Sequence, residues 1–271
     1  MKKKVLYNGE LINENEIGNS FSNRSFLYGD GFFETILVQQ KSIPFLQLHF
    51  NRICKSFAVL GFEPIKNYTL EKLKAELEVL IEANQFIDAK IRMAFYRNGT
   101  TGYLSNENSF SYFAEISELK SGTKASLSAT IYYDNKKALG SISNLKSSSA
   151  LIYVMAAKYA NSKGFDEAIV LNSNGFVADT TNSNIFIYKN NQLITPPLSD
   201  GGVDGVCRKF IINSFSVIEQ SIGINELINA DEIFLTNAVR WIQSVNKLEE
   251  KTFVTLQTEY FAKQFEKHLT S

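Results

Sequence analysis

Several residue types are scarce in this chain of 271 residues. It has two cysteines, two histidines, four prolines and one tryptophan, and its 28 Lys and Arg residues balance 28 Asp and Glu residues. Cys54 and Cys207 are far apart and form no CxxC pair, which argues against a disulfide framework and a zinc ribbon. With His49 and His268 as its only histidines, the chain is not expected to hold a metal. The zero formal charge argues against nucleic-acid binding by phosphate neutralisation and against a polybasic membrane anchor.

Long hydrophobic runs are also missing. No stretch approaches the roughly 18 apolar residues of a membrane helix, and the basic start is not followed by the apolar segment of a signal peptide. We therefore expect a cytoplasmic protein with neither a membrane nor a nucleic acid as partner. Apolar and aromatic side chains are plentiful, because 44% of the residues are hydrophobic and there are 21 Phe and 12 Tyr. This content is sufficient for a large core, in two domains or one large one.

The spacing of apolar residues predicts a mixture of strands and helices. Asn8-Gly9, between two apolar runs, predicts a β-hairpin because both central turn residues need positive φ. Helical spacing predicts helices over 45–60 and 70–81, the second capped by Thr69. The other predicted helices cover 148–162, 206–222 and 258–268. The other predicted strands cover 32–38, 89–96, 109–116, 126–133, 168–171, 176–178, 184–188 and 193–195.

A short polar segment near the middle of the chain is the best candidate for a domain linker. It runs from Glu118 to Ala125 and contains a glycine. It would separate an N-terminal α/β domain over 1–117 from a C-terminal domain over 126–271. Mixed strands and helices in both halves predict an α/β or α+β fold class.

Single motifs in this chain carry little information, but their order does. Gly29-Asp30-Gly31 by itself predicts a tight turn, and a dinucleotide fingerprint would need glycine in place of Glu34. Neither GxxxxGK[ST] nor GxSxG occurs, which argues against a P-loop hydrolase and a serine hydrolase. The ordered segments are LYGDGFFET (27–35), HFNR (49–52), NLK (144–146), GFDEA (164–168), NGFVADTTNSNIF (174–186), TPP (195–197), GVCR (205–208) and ADEIFLTNA (230–238).

Together these segments resemble the class IV aminotransferase family, the fold-type-IV enzymes that use pyridoxal 5'-phosphate. The resemblance covers almost the whole chain. It implies a two-domain fold with the cofactor in the cleft between the domains, a C-terminal domain that binds most of the cofactor, and a homodimer. The family includes branched-chain aminotransferases, D-amino acid aminotransferases and 4-amino-4-deoxychorismate lyases.

The resemblance assigns roles to two basic residues that would otherwise be read as surface residues. Lys146 matches the catalytic Schiff-base lysine, whose amine binds the cofactor aldehyde and then moves the substrate proton. Arg52 matches an arginine that binds the cofactor phosphate through charge-assisted hydrogen bonds. His49 shares a helical face with Arg52, and we expect it to be structural.

Asp179 matches the position of the family's usual glutamate, which holds the pyridine nitrogen of the cofactor. A carboxylate there favours the protonated ring and makes the cofactor a better electron sink. Asp is one methylene shorter than Glu, which leaves three possibilities. The ring lies closer to the carboxylate, a water bridges the carboxylate and the ring nitrogen, or the cofactor is a weaker electron sink. Asn184 keeps the family's spacing and is expected to order the turn after Asp179.

Two further segments match backbone-lined parts of the family's cofactor site. Val206 and Cys207 match a turn whose amides bind the phosphate at the start of a helix, so Cys207 need not be reactive. Asn237 and Ala238, which follow Thr236, match a second loop on the phosphate and substrate side. The family's aminotransferases often have Gly-Thr-Ala here, and this chain lacks that hydroxyl at Ala238.

Substrate recognition is the least specified part of the resemblance. Tyr28 and Phe33 match pocket residues of the first domain. Arg92 and Arg97 are five residues apart on one predicted strand and so face opposite sides; we prefer Arg97 as the substrate residue because it lies at the loop end. The Arg-x-His carboxylate trap of the D-amino acid branch is absent from 99–103, as is the arginine that the lyase branch often has there.

Segments 202–208 and 236–238 look more like the lyase branch than the aminotransferases. The resemblance therefore favours a 4-amino-4-deoxychorismate lyase of folate biosynthesis, which expels the enolpyruvyl group as pyruvate and leaves 4-aminobenzoate. The alternatives are a branched-chain or D-amino acid aminotransferase and, less favoured, a non-catalytic member of the family.

Overall fold

The chain folds into two units in a computed structural model, which describes residues 3–16, 23–63, 68–99, 102–119 and 124–270. The first unit comprises the described residues up to Leu119 together with Leu145–Ser149, and the second comprises 124–144 and the residues from Ala150 onward. Of the predicted linker over 118–125, residues 120–123 lie outside the described part of the chain. The segment that carries Lys146 packs with the first unit, although the linker prediction grouped it with the second domain.

The first unit is an antiparallel sheet with two long helices. Its strand order is β2-β1-β5-β4-β3, and apolar residues of the sheet form one core with α2 and α3, including Phe32, Ile53, Leu77 and Phe95. The predicted hairpin turn is confirmed, since Asn8 and Gly9 have φ of 50° and 87°. The elements are β1 Lys4–Tyr7, β2 Glu10–Asn13, α1 Arg24–Tyr28, β3 Gly31–Val38, α2 Leu46–Leu60, α3 Leu70–Asn84, β4 Ala89–Arg97 and β5 Phe110–Glu118.

The second unit is built on a larger mixed sheet. The strand order is β11-β10-β9-β12-β13-β6-β7-β8, and β14 pairs with β13. The core holds buried aliphatic residues from most of these strands, such as Ile131, Ile169, Ile185 and Leu235. The elements are β6 Ser126–Lys137, α4 Leu151–Ser162, β7 Glu167–Asn172, β8 Val177–Thr180, β9 Asn184–Lys189, β10 Gln192–Thr195, α5 Val206–Ser214, β11 Val217–Glu219, α6 Ile224–Ile228, β12 Glu232–Asn237, β13 Trp241–Leu248, β14 Lys251–Thr252 and α7 Leu256–Thr270.

Most predicted elements are present, and one is wrong in part. The Thr69 cap is confirmed, because its hydroxyl accepts a hydrogen bond from the Lys72 amide at 3.2 Å. The predicted helix over 206–222 ends at Ser214. Beyond it, Val217–Glu219 forms β11 and pairs in parallel with β10, since β-branched residues such as Val217 and Ile218 favour a strand. Among the described residues, no helix is long and apolar enough to cross a membrane.

Candidate active site

Lys146 lies beside strand β3 in the first unit. Its carbonyl accepts a hydrogen bond from the Phe33 amide at 2.9 Å, and the Ser148 amide donates to the Gly31 carbonyl at 3.0 Å. The Lys146 ammonium is 4.6 Å from the centre of the Phe33 ring. Gly31 makes this arrangement possible, because a Cβ at that position would collide with the Phe95 carbonyl and lie 3.3 Å from the Ser148 hydroxyl.

The Phe33 ring also contacts a second cation. The Arg92 guanidinium carbon is 3.9 Å from the ring centre, a distance at which an arginine over an aromatic face is favourable. Arg97 lies elsewhere, over the Phe62 ring, so the prediction that the two arginines face opposite sides is confirmed. The structure brings Arg92, and not Arg97, to the ring that Lys146 contacts.

Arg97 and Tyr28 line a shallow cleft of ≈ 520 Å³ within the first unit. Arg97 pairs with Asp30 at 3.0 Å and donates to the Leu60 carbonyl at 2.6 Å. The Tyr28 hydroxyl accepts a hydrogen bond from the Gly102 amide at 2.7 Å. Of the three predicted substrate residues, Phe33 is therefore beside Lys146, whereas Tyr28 and Arg97 share this cleft.

Arg52 is held by a buried carboxylate. Its Nε and Nη2 donate to the two oxygens of Glu34 at 2.7 and 2.6 Å, and His49 Nδ1 donates to Glu34 Oε2 at 2.7 Å. Burial alone would raise the pKa of Glu34, but the Arg52 charge and the hydrogen bonds from Arg52 and His49 outweigh it and lower that pKa to about 2. Burial lowers the pKa of His49, so the imidazole is neutral. Glu34 therefore fixes the guanidinium of Arg52.

Asp179 lies on β8 in the second unit and is almost fully buried. One carboxylate oxygen, Oδ2, accepts hydrogen bonds from the Tyr153 hydroxyl at 2.8 Å, the Val203 amide at 3.1 Å and the Lys137 ammonium at 3.2 Å. The other oxygen, Oδ1, is buried and has no hydrogen-bond partner among the described residues. A buried carboxylate oxygen without a donor is costly, so this atom marks a place where a hydrogen-bond donor of a ligand fits.

The Asn184 side chain contacts the loop that follows Leu198–Asp200 and leads into α5, whereas the turn directly after Asp179 is closed by a hydrogen bond from the Thr180 amide to the Ser183 carbonyl. The side-chain amide of Asn184 donates to the Val203 carbonyl at 2.8 Å. The loop lies so close to this side chain that a Cβ on Gly205 would collide with Asn184 Oδ1. Gly205 is the N-cap residue of α5 and has no side chain to cap the first amides, which include those of Val206 and Cys207. Amides at a helix start are suited to binding an anion.

Cys207 is buried at this helix start, where its thiol donates a hydrogen bond to the Trp241 carbonyl at 3.9 Å. Burial raises the pKa of the thiol. The thiol is therefore protonated and a poor nucleophile. Thr236 is buried at the end of β12.

The loop after Thr236 is shaped by the side chain of Asn237. Its oxygen accepts hydrogen bonds from the amides of Val239 at 3.0 Å and Arg240 at 2.9 Å. Its amide donates to Asn182 Oδ1 at 3.1 Å and Ser183 Oγ at 2.9 Å. Asn237 thus turns the chain after β12 and joins this turn to the segment between β8 and β9.

Comparison with known proteins gives the family. The model of the family "Amino-transferase class IV" matches residues 31–248. The chain belongs to the class IV aminotransferase family. It is 26% identical over 263 residues to the D-alanine aminotransferase of Bacillus licheniformis, and the match covers 92% of this chain and 89% of that one.

Solved structures of the family have the same fold. A branched-chain aminotransferase from Thermoproteus uzoniensis, solved with norvaline, superposes with a TM-score of 0.90 at 26% identity and covers 99% of this chain and 95% of its own. A Legionella pneumophila protein named "Putative 4-amino-4-deoxychorismate lyase" superposes with a TM-score of 0.84 at 24% identity, covering 93% of this chain and 97% of its own. The predicted fold class, a two-domain fold-type-IV enzyme, is confirmed. Class IV aminotransferases are pyridoxal-phosphate-dependent enzymes.

The described residues fit this cofactor. The open Asp179 Oδ1 fits the N–H of a protonated pyridine ring, and the uncapped start of α5 fits a phosphate. Glu34 is part of the 27–35 motif, but the sequence assigned it no role. Lys137 and Tyr153 are in none of the motifs. Among the described residues, no group of His, Cys, Asp and Glu could hold a metal ion.

Proposed function

We propose that this class IV aminotransferase is a 4-amino-4-deoxychorismate lyase that binds pyridoxal 5'-phosphate and releases pyruvate and 4-aminobenzoate. The observation that carries the cofactor assignment is the buried Asp179 carboxylate, one oxygen of which has no hydrogen-bond partner in the described part of the chain. When bound, the cofactor supplies an electron sink for the negative charge left by proton removal.

The chain's own residues have distinct tasks in this proposal. Lys146 would hold the cofactor through its aldehyde, and its amine would take the proton from the amine-bearing carbon of the substrate. Asp179 accepts the ring N–H. Arg52, fixed by Glu34, binds the phosphate together with the backbone amides of Val206 and Cys207.

The lyase reading is supported by two loops. The sequence 202–208 resembles the lyase branch, and its glycines are closely packed, Gly202 against the Ala178 carbonyl and Gly205 against Asn184. The turn at Asn237-Ala238 is stabilised by the Asn237 side chain, where the family's aminotransferases often have Gly-Thr-Ala. Ala238 consequently offers backbone groups and no hydroxyl to a ligand.

An aminotransferase is the second candidate, and the similarity to D-alanine and branched-chain aminotransferases favours it. An aminotransferase must recognise the carboxylate of an amino acid, and Arg92 is the arginine placed at the Phe33 ring beside Lys146. We propose Arg92 for this contact, in addition to Tyr28 and Phe33 as residues that shape the substrate site. A lyase substrate also carries a carboxylate, so the same contact serves both reactions.

A product assay separates the two candidates. Purified protein loaded with pyridoxal 5'-phosphate is incubated with aminodeoxychorismate, and pyruvate and 4-aminobenzoate are measured; a parallel panel of L- and D-amino acids with 2-oxoglutarate tests amino transfer. We expect both products of the first reaction in equal amounts. Turnover of amino acids without 4-aminobenzoate would establish the aminotransferase instead.

The Lys146 variant tests catalysis as such. We expect Lys146→Ala to abolish turnover and to lose the yellow colour that borohydride bleaches in the wild type, because the cofactor aldehyde then lacks its lysine amine. Lys158→Ala, at an exposed position of α4, is the control and should behave as wild type. Unchanged turnover by Lys146→Ala would refute the mechanism, and absence of any turnover in the wild type would favour the non-catalytic alternative.

We further propose that the protein is a homodimer in the cytoplasm, as the family resemblance implies. Sedimentation velocity of the purified protein tests the oligomeric state, and a monomer at micromolar concentration would contradict it.

A further inference from the structure

Lys137 is a buried lysine at the end of β6. The four residues before it are exposed, and Lys137 itself is buried. The register between β6 and β7 explains this change, because pairing shifts between Tyr132 and Lys137 and then resumes at Lys137 opposite Asn172. The Ser173 amide donates to the Lys137 carbonyl at 3.0 Å and holds the backbone there.

A buried ammonium is unfavourable unless it is paired, and Lys137 is paired twice. Its ammonium donates to the Tyr153 hydroxyl and contacts Asp179 Oδ2 at 3.2 Å, and it lies 4.9 Å from the centre of the Tyr153 ring. Burial and the Asp179 carboxylate raise the pKa of Tyr153, so its hydroxyl remains a donor to Asp179. The three side chains form one closed network.

The network engages the Asp179 carboxylate from one side only. Its two side-chain donors, together with the Val203 amide, reach Oδ2. No donor among the described residues reaches Oδ1, which is buried. The carboxylate plane is thereby fixed while one oxygen stays available.

Building on the proposed function, we propose that Lys137 and Tyr153 are positioning residues that clamp Asp179 by Oδ2 and so aim Oδ1 at the cofactor's ring nitrogen. Asp179 is one methylene shorter than the family's usual glutamate, so it has less reach. Fixing its orientation before binding removes rotamer freedom that would otherwise be lost on binding, and this compensates for the shorter side chain.

The test uses three variants and two matched controls in the full chain. Lys137→Met removes the charge at similar volume, Lys137→Arg keeps it, and Tyr153→Phe removes only the hydroxyl. Lys136→Met is the control for the first, since Lys136 is exposed on the same strand, and Tyr159→Phe is the control for the last, since Tyr159 is on the same helix and packs on Tyr132.

Two quantities are measured besides activity: the Kd for pyridoxal 5'-phosphate, by absorbance titration, and the induced circular dichroism of its visible band, which reports how rigidly the ring is held. We expect Lys137→Met to raise the Kd at least about tenfold, by analogy with the loss of affinity when an outer partner of a metal ligand is removed, and to weaken the dichroic band. Tyr153→Phe should act in the same direction, and Lys137→Arg should restore much of both signals.

Two results would overturn the proposal. The first is a Kd and dichroic band for Lys137→Met and Tyr153→Phe equal to those of their controls; a lower melting temperature of the cofactor-free variants in that case would make the network purely structural. The second is a wild type that binds no cofactor, which would refute the proposed function as well, whereas the first leaves that function intact. If Lys137→Met does not fold, Tyr153→Phe against Tyr159→Phe decides.

Discussion

At the scale of single residues, the buried pair of Glu34 and Arg52 shows how a binding group is prepared before its ligand arrives. A free arginine has many rotamers, and two charge-assisted hydrogen bonds to one carboxylate select a single orientation. The folded state also depends on both partners, because removal of one leaves the other as an uncompensated buried charge, which is destabilising.

The first prediction concerns Glu34→Gln. We expect the free energy of unfolding at pH 7 to fall by about 3 kcal/mol, since Arg52 loses its buried counter-charge. The folded-state pKa of Glu34 is lowered from 4.5 to about 2, so its contribution is complete above about pH 4.5 and is lost as the pH falls towards 2. Urea unfolding at pH 7 and at pH 2.5 should therefore show a smaller difference between wild type and variant at the lower pH.

Glu78→Gln is the matched control for this prediction. Glu78 is about half exposed, and its Oε1 is 3.8 Å from the Nζ of Lys74. An exposed ion pair of this kind contributes little to the free energy of unfolding. A loss of stability in Glu78→Gln as large as that in Glu34→Gln would contradict the assignment of a buried ion pair, as would a pH-independent difference for Glu34→Gln.

Some residues of the candidate site could be predicted from the sequence and others could not. Lys146, Arg52 and Asp179 stand in ordered motifs and were proposed from the sequence. Lys137 carries no such signal, because it ends a polar run that indicates a solvated loop, and only the register shift against β7 buries it. The choice between Arg92 and Arg97 needed the pairing of β3 with β4, which sets which arginine lies over Phe33.

At the scale of elements, apolar spacing identified most helices and strands, because it reports which side of an element is buried. The helix expected over 206–222 shows where this fails. A run of apolar residues fits either structure, and the pairing of β11 with β10 favours a strand after Ser214. The loop before α5 was predicted from the resemblance of segment 202–208 to the family, and the structure adds the reason for Gly205, which is a tertiary contact with Asn184.

The second prediction follows from that contact. In Gly205→Ala the new methyl group collides with the Asn184 side chain, so the loop must shift, at a cost of about 1–3 kcal/mol. We expect a lower melting temperature and, because the start of α5 moves, weaker binding of pyridoxal 5'-phosphate. Gly140→Ala is the control, since a Cβ there meets no atom of the described residues within 4 Å. Equal effects of the two substitutions on cofactor affinity would contradict the role given to this loop.

At the scale of the whole molecule, the division into two units could be predicted in part from the change in composition near 118–125, but the place of Lys146 could not. Leu145–Ser149 joins the first unit through backbone hydrogen bonds to β3, and backbone pairing at the edge of a sheet is largely independent of side-chain identity. A single domain boundary along the sequence therefore cannot assign Leu145–Ser149 to the first unit.

The last prediction concerns the stability of the whole protein. A ligand that binds only the folded state stabilises it by about 2.7 kcal/mol at a concentration of 100 Kd, which corresponds to a melting temperature higher by roughly 5–10 °C for a chain of this size. We expect pyridoxal 5'-phosphate to raise the melting temperature in this way, and pyridoxal without the phosphate to raise it less, because Arg52 and the start of α5 then lack their anion. Differential scanning calorimetry with each compound measures both shifts. Equal shifts for the two compounds would show that the phosphate is not recognised, and no shift with either would contradict the cofactor assignment itself.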